Sequence, residues 1–296
     1  MIRYRLNKIK KMNPMIKKNN YLAPAKLNLF LHITSQRADG YHNLQTLFQF
    51  LDFCDDLYFN VRPDGQLSCQ SSAKDLPPEQ DIVLRAARLL KQYSGTSLGA
   101  DIQVEKKIPM GGGLGGGSSD AATTLLALNQ LWHLQLSSDI LAQLGLSLGA
   151  DVPVFVQGHA AWAEGVGESL KPIELDEPWY FVIHPGCHVS TAEIFSTKDL
   201  TRDALCITIA EFFAGQSRNV CENVVRRLYP QVGQALDWLS QYSPARLTGT
   251  GACLFARFES RAQAQAVLAQ LPSVWYGFVA RGRNISPALN ALQKHR

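Results

Sequence analysis

The chain has 296 residues, 46% of them hydrophobic, which is enough for one large core or two medium ones, and we expect two domains that meet at a cleft. Residues 1–19 hold seven lysines and arginines and no acid, so the formal charge of +4 arises there, and the rest of the chain has 22 bases against 25 acids. A nearly neutral body argues against nucleic-acid binding, and the absence of any run of about 18 apolar residues argues against a transmembrane helix.

The basic segment 1–19 lacks the apolar stretch of a secretory signal and the serine content of a transit peptide. We interpret it as a disordered arm, or as sequence ahead of a start at Met12 or Met15. The six cysteines stand singly, without the close pairs that a zinc site needs, which is typical of free thiols in a reducing cytoplasm. We therefore expect a soluble, cytoplasmic protein.

Extended and helical patterns alternate along the chain. In the first half they predict strands at 25–34 and 46–61 around a turn at 38–40, a helix at 81–93, a strand at 100–107, a helix at 118–132 and a helix from 137 to Gly149. After residue 158 they predict strands at 160–164, 179–184, 252–258 and 274–280, and helices at 211–229, 231–242 and 261–271. This mixture indicates an α+β protein, with one domain at 20–158 and a second at 159–296.

A glycine-rich segment from Pro109 to Asp120 joins a predicted strand to a predicted helix, and six of its twelve residues are glycine. Glycine tolerates positive φ angles, so consecutive amide N–H groups can curl into a concave anion site, to which the free amides and the dipole of the following helix contribute. A polyphosphate is the expected ligand. The residues that we assign to it are Pro109, Met110, Gly111, Gly112, Gly113, Leu114, Gly115, Gly116, Gly117, Ser118 and Ser119.

Three other interpretations of these glycines are weaker. A flexible linker would continue into polar low-complexity sequence, whereas here an apolar helix begins at once. Gly111, Gly113 and Gly116 fit the G-x-G-x-x-G pattern of dinucleotide-binding folds, but no strand ending in an acidic residue follows about 20 residues later. A Walker A loop is excluded because no Gly-Lys-Ser/Thr sequence ends the segment.

Three segments, 23–29, 109–120 and 247–252, resemble the motifs of the galactokinase, homoserine, mevalonate and phosphomevalonate (GHMP) kinase superfamily. Segments 39–42, 149–155 and 163–168 are similar to one branch of these kinases, and the resemblance extends from about Tyr21 to the C-terminal end. It implies an α+β, two-domain GHMP-kinase fold. The N-terminal nucleotide domain would resemble domain 2 of ribosomal protein S5, the C-terminal domain would be ferredoxin-like, and the active-site cleft would lie between them.

The same resemblance implies an activity. ATP and Mg²⁺ would be the cofactors, and the γ-phosphoryl group would pass to an alcohol. For the branch in question, the acceptor would be the 2-hydroxyl of a methylerythritol that carries a diphosphocytidyl group, in the non-mevalonate route to isoprenoid precursors.

The catalytic pair implied by the resemblance is Asp151 with Lys26. A tertiary alcohol is a poor nucleophile, so a positioned base helps by taking its proton, and Asp151 stands just past a predicted helix end and before an apolar run. Its ordinary role would be to cap neighbouring backbone. Lys26 would ordinarily face solvent from its strand, whereas beside Asp151 it would keep the carboxylate ionised.

The cytosine of such an acceptor needs aromatic faces and hydrogen bonds at its edge. By resemblance, Tyr41 and Phe195 stack on the base and His42 reads its edge. Asn28 and Val166 complete the pocket. Alternatively, Tyr41 and His42 only cover the preceding turn, and Phe195 belongs to the core.

Lys106 matches a family position near the base of ATP, with neighbouring Lys107 as the other possible register. Asp81 stands where the family usually has asparagine, and an aspartate accepts a hydrogen bond from the adenine amino group but donates none. No dedicated metal ligand is predicted. Magnesium would arrive as Mg-ATP, and either Ser118 or Ser119 would offer it a hydroxyl.

Other functions stay open from the sequence. A homoserine- or mevalonate-type kinase would share the glycine-rich segment but has no reason to carry Tyr41, His42 and Phe195 together. A catalytically silent nucleotide-binding protein of this fold would have lost Lys26 or Asp151, and both are present. Nucleic-acid binding through residues 1–19 is a further alternative. We expect a small-molecule substrate, no nucleic-acid or membrane partner, and a monomer or weak homodimer.

Overall fold

The structure is a computed structural model that describes residues 20–72 and 77–294, so the predicted basic arm at 1–19 lies outside the described residues. The strands are β1 (Asn20–Gln36), β2 (His42–Arg62), β3 (Leu67–Ser71), β4 (Gly99–Glu105), β5 (Ala161–Glu164), β6 (Ser169–Pro172), β7 (Trp179–His184), β8 (Ala245–Leu247), β9 (Leu254–Phe258) and β10 (Tyr276–Arg283). The helices are α1 (Ile82–Ser94), α2 (Gly116–Leu131), α3 (Ser138–Leu146), α4 (Val152–Gln157), α5 (Thr191–Ser196), α6 (Ile209–Phe213), α7 (Glu222–Leu228), α8 (Pro230–Ser240), α9 (Arg261–Leu268) and α10 (Pro287–Lys294). Within the described ranges, no helix combines the length and the apolar character needed to cross a bilayer.

The long strand β2 organises the N-terminal sheet. It pairs antiparallel with β1, β4 and β5, while β3 adds to β4 in parallel and β6 adds to β5. The β1 register shifts between Pro24 and Lys26 and again between Asn28 and Leu31. These irregularities break the strict alternation expected of the strand, and Lys26, Leu27 and Asn28 are all buried.

The C-terminal sheet has the order β10-β7-β9-β8, with antiparallel pairs throughout. The end of β10 also pairs with β2, where Gly282 lies opposite Leu51 and Arg283 opposite Phe50. The two sheets are therefore joined through hydrogen bonds between one early and one late strand.

The buried apolar side chains form separate clusters in the two halves and a third cluster at the junction. The first lies between the N-terminal sheet and α1 to α4, and the second lies between the C-terminal sheet and its helices. The third takes side chains from both sheets, including Leu27 and Leu51 from one and Val182 and Phe278 from the other. Phe278 stacks on Phe53 with ring centroids 3.9 Å apart. The floor of the region between the halves is thus a shared apolar core.

The last helix returns to the first half of the molecule. Ala288 and Ala291 of α10 are buried, and Leu292 packs against the first cluster. Ser286 N–H donates to the carbonyl of Gly158 at 2.9 Å, just ahead of this helix. Strands β5 and β6 also lie on the N-terminal sheet. The predicted boundary between two domains, at 20–158 and 159–296, therefore stays a prediction.

Most long elements lie where the sequence predicted them, but one prediction is wrong. The helix expected at 211–229 is two helices, α6 and α7, with a loop between them in which Gly215 has a φ of +80°. Six short elements were not predicted: β3, β6, α4, α5, β8 and α10.

Candidate active site

A cleft of about 1030 Å³ runs along the glycine-rich segment and is lined by residues of both halves of the chain. Every residue assigned above to catalysis, to the nucleotide or to the acceptor lines this cleft, with the exception of Ser119, which is fully buried. Segments that are far apart in sequence are therefore brought to one place. The roles assigned to these residues stay predictions.

The glycine-rich segment turns from β4 into α2 through left-handed backbone. Gly113 has a φ of +76°, and a Cβ placed there would lie 2.3 Å from the carbonyl oxygen of Thr248. Gly115, with a φ of +71°, is the N-cap of α2. The first bond of that helix runs from the Ser119 N–H to the Gly115 carbonyl at 2.8 Å. The amides of the three residues before Ser119 therefore have no acceptor within the helix and lie at the cleft, as an anion site requires.

The three segments that carry the family resemblance are bonded to one another. Lys26 N–H donates to the carbonyl of Leu114 at 2.9 Å. Asn28 N–H donates to Thr248 Oγ1 at 2.9 Å. Cys253 N–H donates to the carbonyl of Gly112 at 3.0 Å. The glycine-rich loop is therefore held between β1 and the loop that precedes β9.

Lys26 and Asp151 form an ion pair at the cleft, with 3.1 Å between Lys26 Nζ and Asp151 Oδ2. The Lys26 side chain is 3% exposed, so it does not face solvent, and its ammonium also donates to Asn28 Oδ1 and lies 5.2 Å from the centre of the Phe48 ring. Asp151 precedes α4 without capping it and remains 33% exposed. A buried cation thus faces a carboxylate that solvent, or an alcohol, can still reach.

Asn28 is buried and both ends of its side-chain amide are occupied. Its Oδ1 accepts from Lys26, and its Nδ2 donates to Thr46 Oγ1 at 3.0 Å, while Thr46 in turn donates to the carbonyl of Phe30. These bonds fix the Lys26 ammonium. The predicted contact of Asn28 with an acceptor remains a proposal.

A buried charge cluster lies beside the start of α2, where Lys106 Nζ is 3.4 Å from the position of a Cβ on Gly116. The Lys106 ammonium binds the carboxylates of both Asp55 and Asp120. Burial lowers the pKa of Lys106, but the two carboxylates outweigh it and hold the pKa above its ordinary value. Burial raises the pKa of Asp120 to about 7, against the opposing effect of Lys106, and Oδ1 of Asp120 has no partner among the described residues. Lys107 points elsewhere, to Asp56, so Lys106 is the lysine of the cleft.

Asp81 begins α1 at the edge of the cleft. Its Oδ1 accepts from the N–H groups of Val83 at 2.8 Å and Leu84 at 3.2 Å, which is the ordinary bonding of an N-cap. An asparagine would accept the same bonds through its carbonyl oxygen. The aspartate therefore retains the structural role of the usual family residue and adds negative charge to the cleft.

Two of the predicted acceptor residues, His42 and Phe195, are in ring contact at the cleft. The rings of His42 and Phe195 have their centroids 5.0 Å apart and are inclined by 36°. Tyr41 is 65% exposed at the rim, after a turn in which its N–H donates to Asp39 Oδ1 at 3.0 Å. Val166 N–H donates to Glu168 Oε2 at 2.6 Å. An aromatic slot with open sides results.

The residues near the start of α2 fit a magnesium–nucleotide complex. No group of three or more His, Cys, Asp or Glu side chains within 20–72 and 77–294 could hold a metal, but Mg²⁺ commonly uses only one or two protein oxygens together with phosphates and waters. Ser118 lines the cleft, and its Oγ lies 3.7 Å from the position of a Cβ on Gly149, two residues before Asp151. The Ser119 hydroxyl is buried without a partner among the described residues. Ser118 is thus the accessible hydroxyl of the two.

Several residues of the site were not singled out from the sequence. Thr46 and Asp55 bond to predicted site residues, yet nothing in their local sequence marks them. Thr248 lies in the segment 247–252 that carries the family resemblance, but its bond to Asn28 is known only from the structure. Arg202 is a further one, because its guanidinium binds His42 from a distant loop. Only the folded structure brings such side chains together.

Comparison with known families gives matches over both halves of the chain. The family model described as "GHMP kinases N terminal domain" matches residues 81–159, and the model described as "GHMP kinases C terminal" matches residues 202–277.

Curated relatives match over nearly the whole chain. A protein of Nitrosococcus oceani named 4-diphosphocytidyl-2-C-methyl-D-erythritol kinase is 58% identical over 272 residues, which covers 92% of this chain and 97% of that protein. Proteins of the same name from Alkalilimnicola ehrlichii and Pseudomonas syringae are 59% and 57% identical, and each match covers 92% of this chain and 93% and 96% of the relative.

Solved structures agree. A crystal structure of 4-(cytidine 5'-diphospho)-2C-methyl-D-erythritol kinase aligns with a TM-score of 0.78 and 31% identity, covering 89% of this chain and 98% of the other. A mevalonate kinase aligns with a TM-score of 0.65 at 16% identity, covering 90% and 99% of the two chains. The homoserine kinase of Cytophaga hutchinsonii aligns with a TM-score of 0.61 at 14% identity, covering 94% and 98%. The last two show the fold alone.

Proposed function

This chain belongs to the GHMP kinases, within the family of the 4-diphosphocytidyl-2-C-methyl-D-erythritol kinases, and from that membership we propose how its residues carry out the reaction. The chain is an ATP-dependent kinase that phosphorylates the 2-hydroxyl of 4-diphosphocytidyl-2-C-methyl-D-erythritol in isoprenoid-precursor synthesis. The observation that carries our assignment of roles is the Lys26–Asp151 pair, which lies in the same cleft as the free amides of α2 and the His42–Phe195 rings.

Asp151 is the general base of this proposal. Its carboxylate accepts the proton of the 2-hydroxyl as the oxygen attacks the γ-phosphorus, and the bond from phosphorus to the β–γ bridging oxygen breaks to release ADP. The Lys26 ammonium, 3.1 Å from Asp151 Oδ2, stabilises the ionised carboxylate. Because Asn28 and Phe48 hold the ammonium from the other side, the pair is oriented before substrate binds.

The nucleotide binds along the glycine-rich segment. The amides of Gly116, Gly117 and Ser118 hold the phosphates, and Lys106 lies towards the base. Ser118 would hold magnesium together with the phosphates, and the ion would supply positive charge that offsets the charge developing on the transferred group. Positioning and electrostatic stabilisation provide most of the rate in such transfers, so one base and one cation suffice beside the loop.

The acceptor occupies the aromatic slot. Tyr41 and Phe195 hold the faces of the cytosine, His42 contacts its edge, and Val166 closes one side. The methylerythritol then reaches the catalytic pair. In our proposal the kinase works in the cytoplasm as a monomer or weak homodimer, without nucleic-acid or membrane partners.

A comparison of acceptors tests this function. Purified protein with Mg-ATP is assayed by ADP release on 4-diphosphocytidyl-2-C-methyl-D-erythritol, mevalonate and homoserine. We expect turnover with the first acceptor, and kcat/KM for the other two at least about a hundredfold lower, because neither fills the aromatic slot. Preferential turnover of mevalonate or homoserine would assign the chain to a sister activity.

A further inference from the structure

Arg202 is fixed against the acceptor end of the cleft from the loop that follows α5. Its Nε–H donates to Nε2 of His42 at 3.2 Å. Its Nη1 and Nη2 groups donate to backbone carbonyls at the end of α5 and in the same loop, those of Phe195 at 2.7 Å, Thr197 at 2.9 Å and Leu200 at 3.1 Å. Four bonds therefore fix the orientation of one half-buried guanidinium.

This contact determines which nitrogen of His42 carries the proton. An arginine side chain has donors only, so Nε2 of His42 must accept, and the neutral ring carries its hydrogen on Nδ1. Nδ1 makes no hydrogen bond to another described residue, and His42 lines the cleft. The ring therefore presents a donor for a ligand.

The surroundings also keep the ring neutral. Burial lowers the pKa of His42, and the positive charge of Arg202 lowers it further. Two carboxylates close to it in sequence or on the facing loop have partners of their own, Asp39 paired with Arg37 within the hairpin and Asp199 paired with Arg227, while Lys198 and Asp203 are further charged groups of that loop. Arg202 is the charged group that acts on His42 from the segment packed against it.

We propose that Arg202 is a positioning residue that holds His42 as a donor at Nδ1, and that the kinase thereby selects a cytidine-linked over a uridine-linked acceptor. N3 of cytosine is an acceptor and meets this donor, whereas N3 of uracil carries a hydrogen and opposes it. A site built around one polar pairing rejects a ligand that leaves the group unpaired. The inference rests on the proposed function, because it presupposes a pyrimidine in the slot beside Phe195.

Kinetics with two acceptors test the selection. For the wild type we expect kcat/KM with the cytidine-linked acceptor to exceed that with its uridine analogue by about a hundredfold. In Arg202→Met the ratio falls by about tenfold, and activity on the uridine analogue rises in absolute terms, because a released His42 can adopt the tautomer that accepts at Nδ1. A gain on one acceptor cannot arise from damage to the loop. An unchanged ratio in the variant would overturn the proposal.

Arg227→Met is the matched control. Arg227 binds Asp199 at 2.8 Å, in the same loop, but makes no contact with His42 among the described residues. This variant also loosens the loop, and its ratio between the two acceptors stays that of the wild type. If Arg227→Met lowered the ratio as much as Arg202→Met, the effect would belong to the loop and the proposal would fall.

Spectroscopy of the wild type decides the tautomer even if a variant does not fold. Long-range ¹H–¹⁵N spectra of the imidazole should show hydrogen on Nδ1 of His42 and none on Nε2, and a ring protonated at Nε2 would overturn the proposal. In Arg202→Met the pKa of His42 should rise towards its ordinary value of 6.5, because the positive charge of Arg202 is removed, and a pH titration followed in the same spectra measures the shift.

The two proposals fail in different ways. If the wild type phosphorylates no cytidine-linked acceptor, the proposed function falls, and the spectra still decide whether Arg202 controls the tautomer. If the wild type uses cytidine- and uridine-linked acceptors equally well, the function stands and only the present inference falls.

Discussion

At the scale of single residues, the environment of Asp151 explains why an aspartate at a helix start is free to react. A side chain at this position ordinarily caps the helix, yet Asp151 makes no capping bond to α4 and instead pairs with Lys26. Pro153 lies in the first turn of α4 and lacks an N–H, which reduces the need for a cap. The carboxylate is thereby left to the cation and to the cleft.

Replacing Asp151 by asparagine should abolish proton transfer to this side chain while leaving the shape of the side chain unchanged. We expect kcat to fall by about 10² to 10⁴-fold in Asp151→Asn, because an amide cannot take the hydroxyl proton. The dissociation constant of ATP should change by less than about threefold, since the nucleotide binds at α2. Steady-state kinetics and calorimetry measure the two quantities. Asp139→Asn, on the exposed first turn of α3, is the control and should retain full kcat. A kcat within threefold of the wild type in Asp151→Asn would contradict the proposed base.

The buried Asp120 makes stability depend on pH. Its folded-state pKa of about 7 lies above its ordinary value of 3.8, so the folded protein holds this proton more tightly than the unfolded chain does. The stability associated with it is complete below pH 3.8 and is lost as the pH rises through 7. Asp120→Asn removes the titration, while Lys106 keeps Asp55 as a partner.

The expected result follows from that linkage. Between pH 5.5 and 8.0 the wild type should lose about 2 kcal/mol more free energy of unfolding than Asp120→Asn does. Urea titrations at the two pH values measure it. Equal pH dependence in both proteins would show that Asp120 is already ionised in the folded state at pH 5.5.

At the scale of elements, the glycine-rich loop is constrained by its contact with the backbone of Thr248 as well as by the phosphates that we propose it binds. In Gly113→Ala the new methyl would lie 2.3 Å from the Thr248 carbonyl oxygen, at a φ of +76°. We expect ATP affinity to fall at least about tenfold and stability to fall by about 1–3 kcal/mol. Gly233→Ala in α8 is the control, because its nearest atom lies at 3.8 Å and its φ is not positive. That variant should be neutral or slightly stabilised. If Gly113→Ala bound ATP as tightly as the wild type, the proposal that this loop binds the phosphates would be contradicted.

The sequence predicts those helices, strands and turns that are determined by residues within a few positions of one another. The glycine-rich turn before α2 and the helix α1 follow from chemistry within a few residues, and both lie close to their predicted positions, whereas the capping of α1 by Asp81 is a finding of the structure. The helix expected at 211–229 fails because Gly215 breaks a run whose apolar residues otherwise suit a helix. The six-residue helices α4 and α5 are too short to show a period.

Contacts between segments that are far apart in the chain could not be predicted from the sequence. Burial of Lys26 depends on a register shift in β1 and on α4 packing beside it, neither of which has a local signal. Arg202 reaches His42 across 160 positions of sequence. The family resemblance supplied the identity of the predicted site residues, whereas their supporting contacts came from the fold.

At the scale of the whole molecule, the third apolar cluster makes the two halves depend on each other. Leu51 is fully buried in it, and Leu51→Ala should cost about 2–5 kcal/mol in the free energy of unfolding. Because the cluster joins both sheets, we expect tryptophan fluorescence and circular dichroism to report one coincident transition. Leu205→Ala, at a side chain 85% exposed, is the control and should cost less than about 0.5 kcal/mol. A Leu51→Ala cost as small as that of the control would show that the junction adds little to stability.

The helix α10 sets the order in which the protein can be completed during synthesis. It packs through Leu292 on a core otherwise built by early residues, and Ser286 is bonded to Gly158 beside it. The ribosome delivers these residues after the rest of the core that they cover. We therefore expect the N-terminal half of the nascent polypeptide to become protease-resistant only after α10 has left the ribosome.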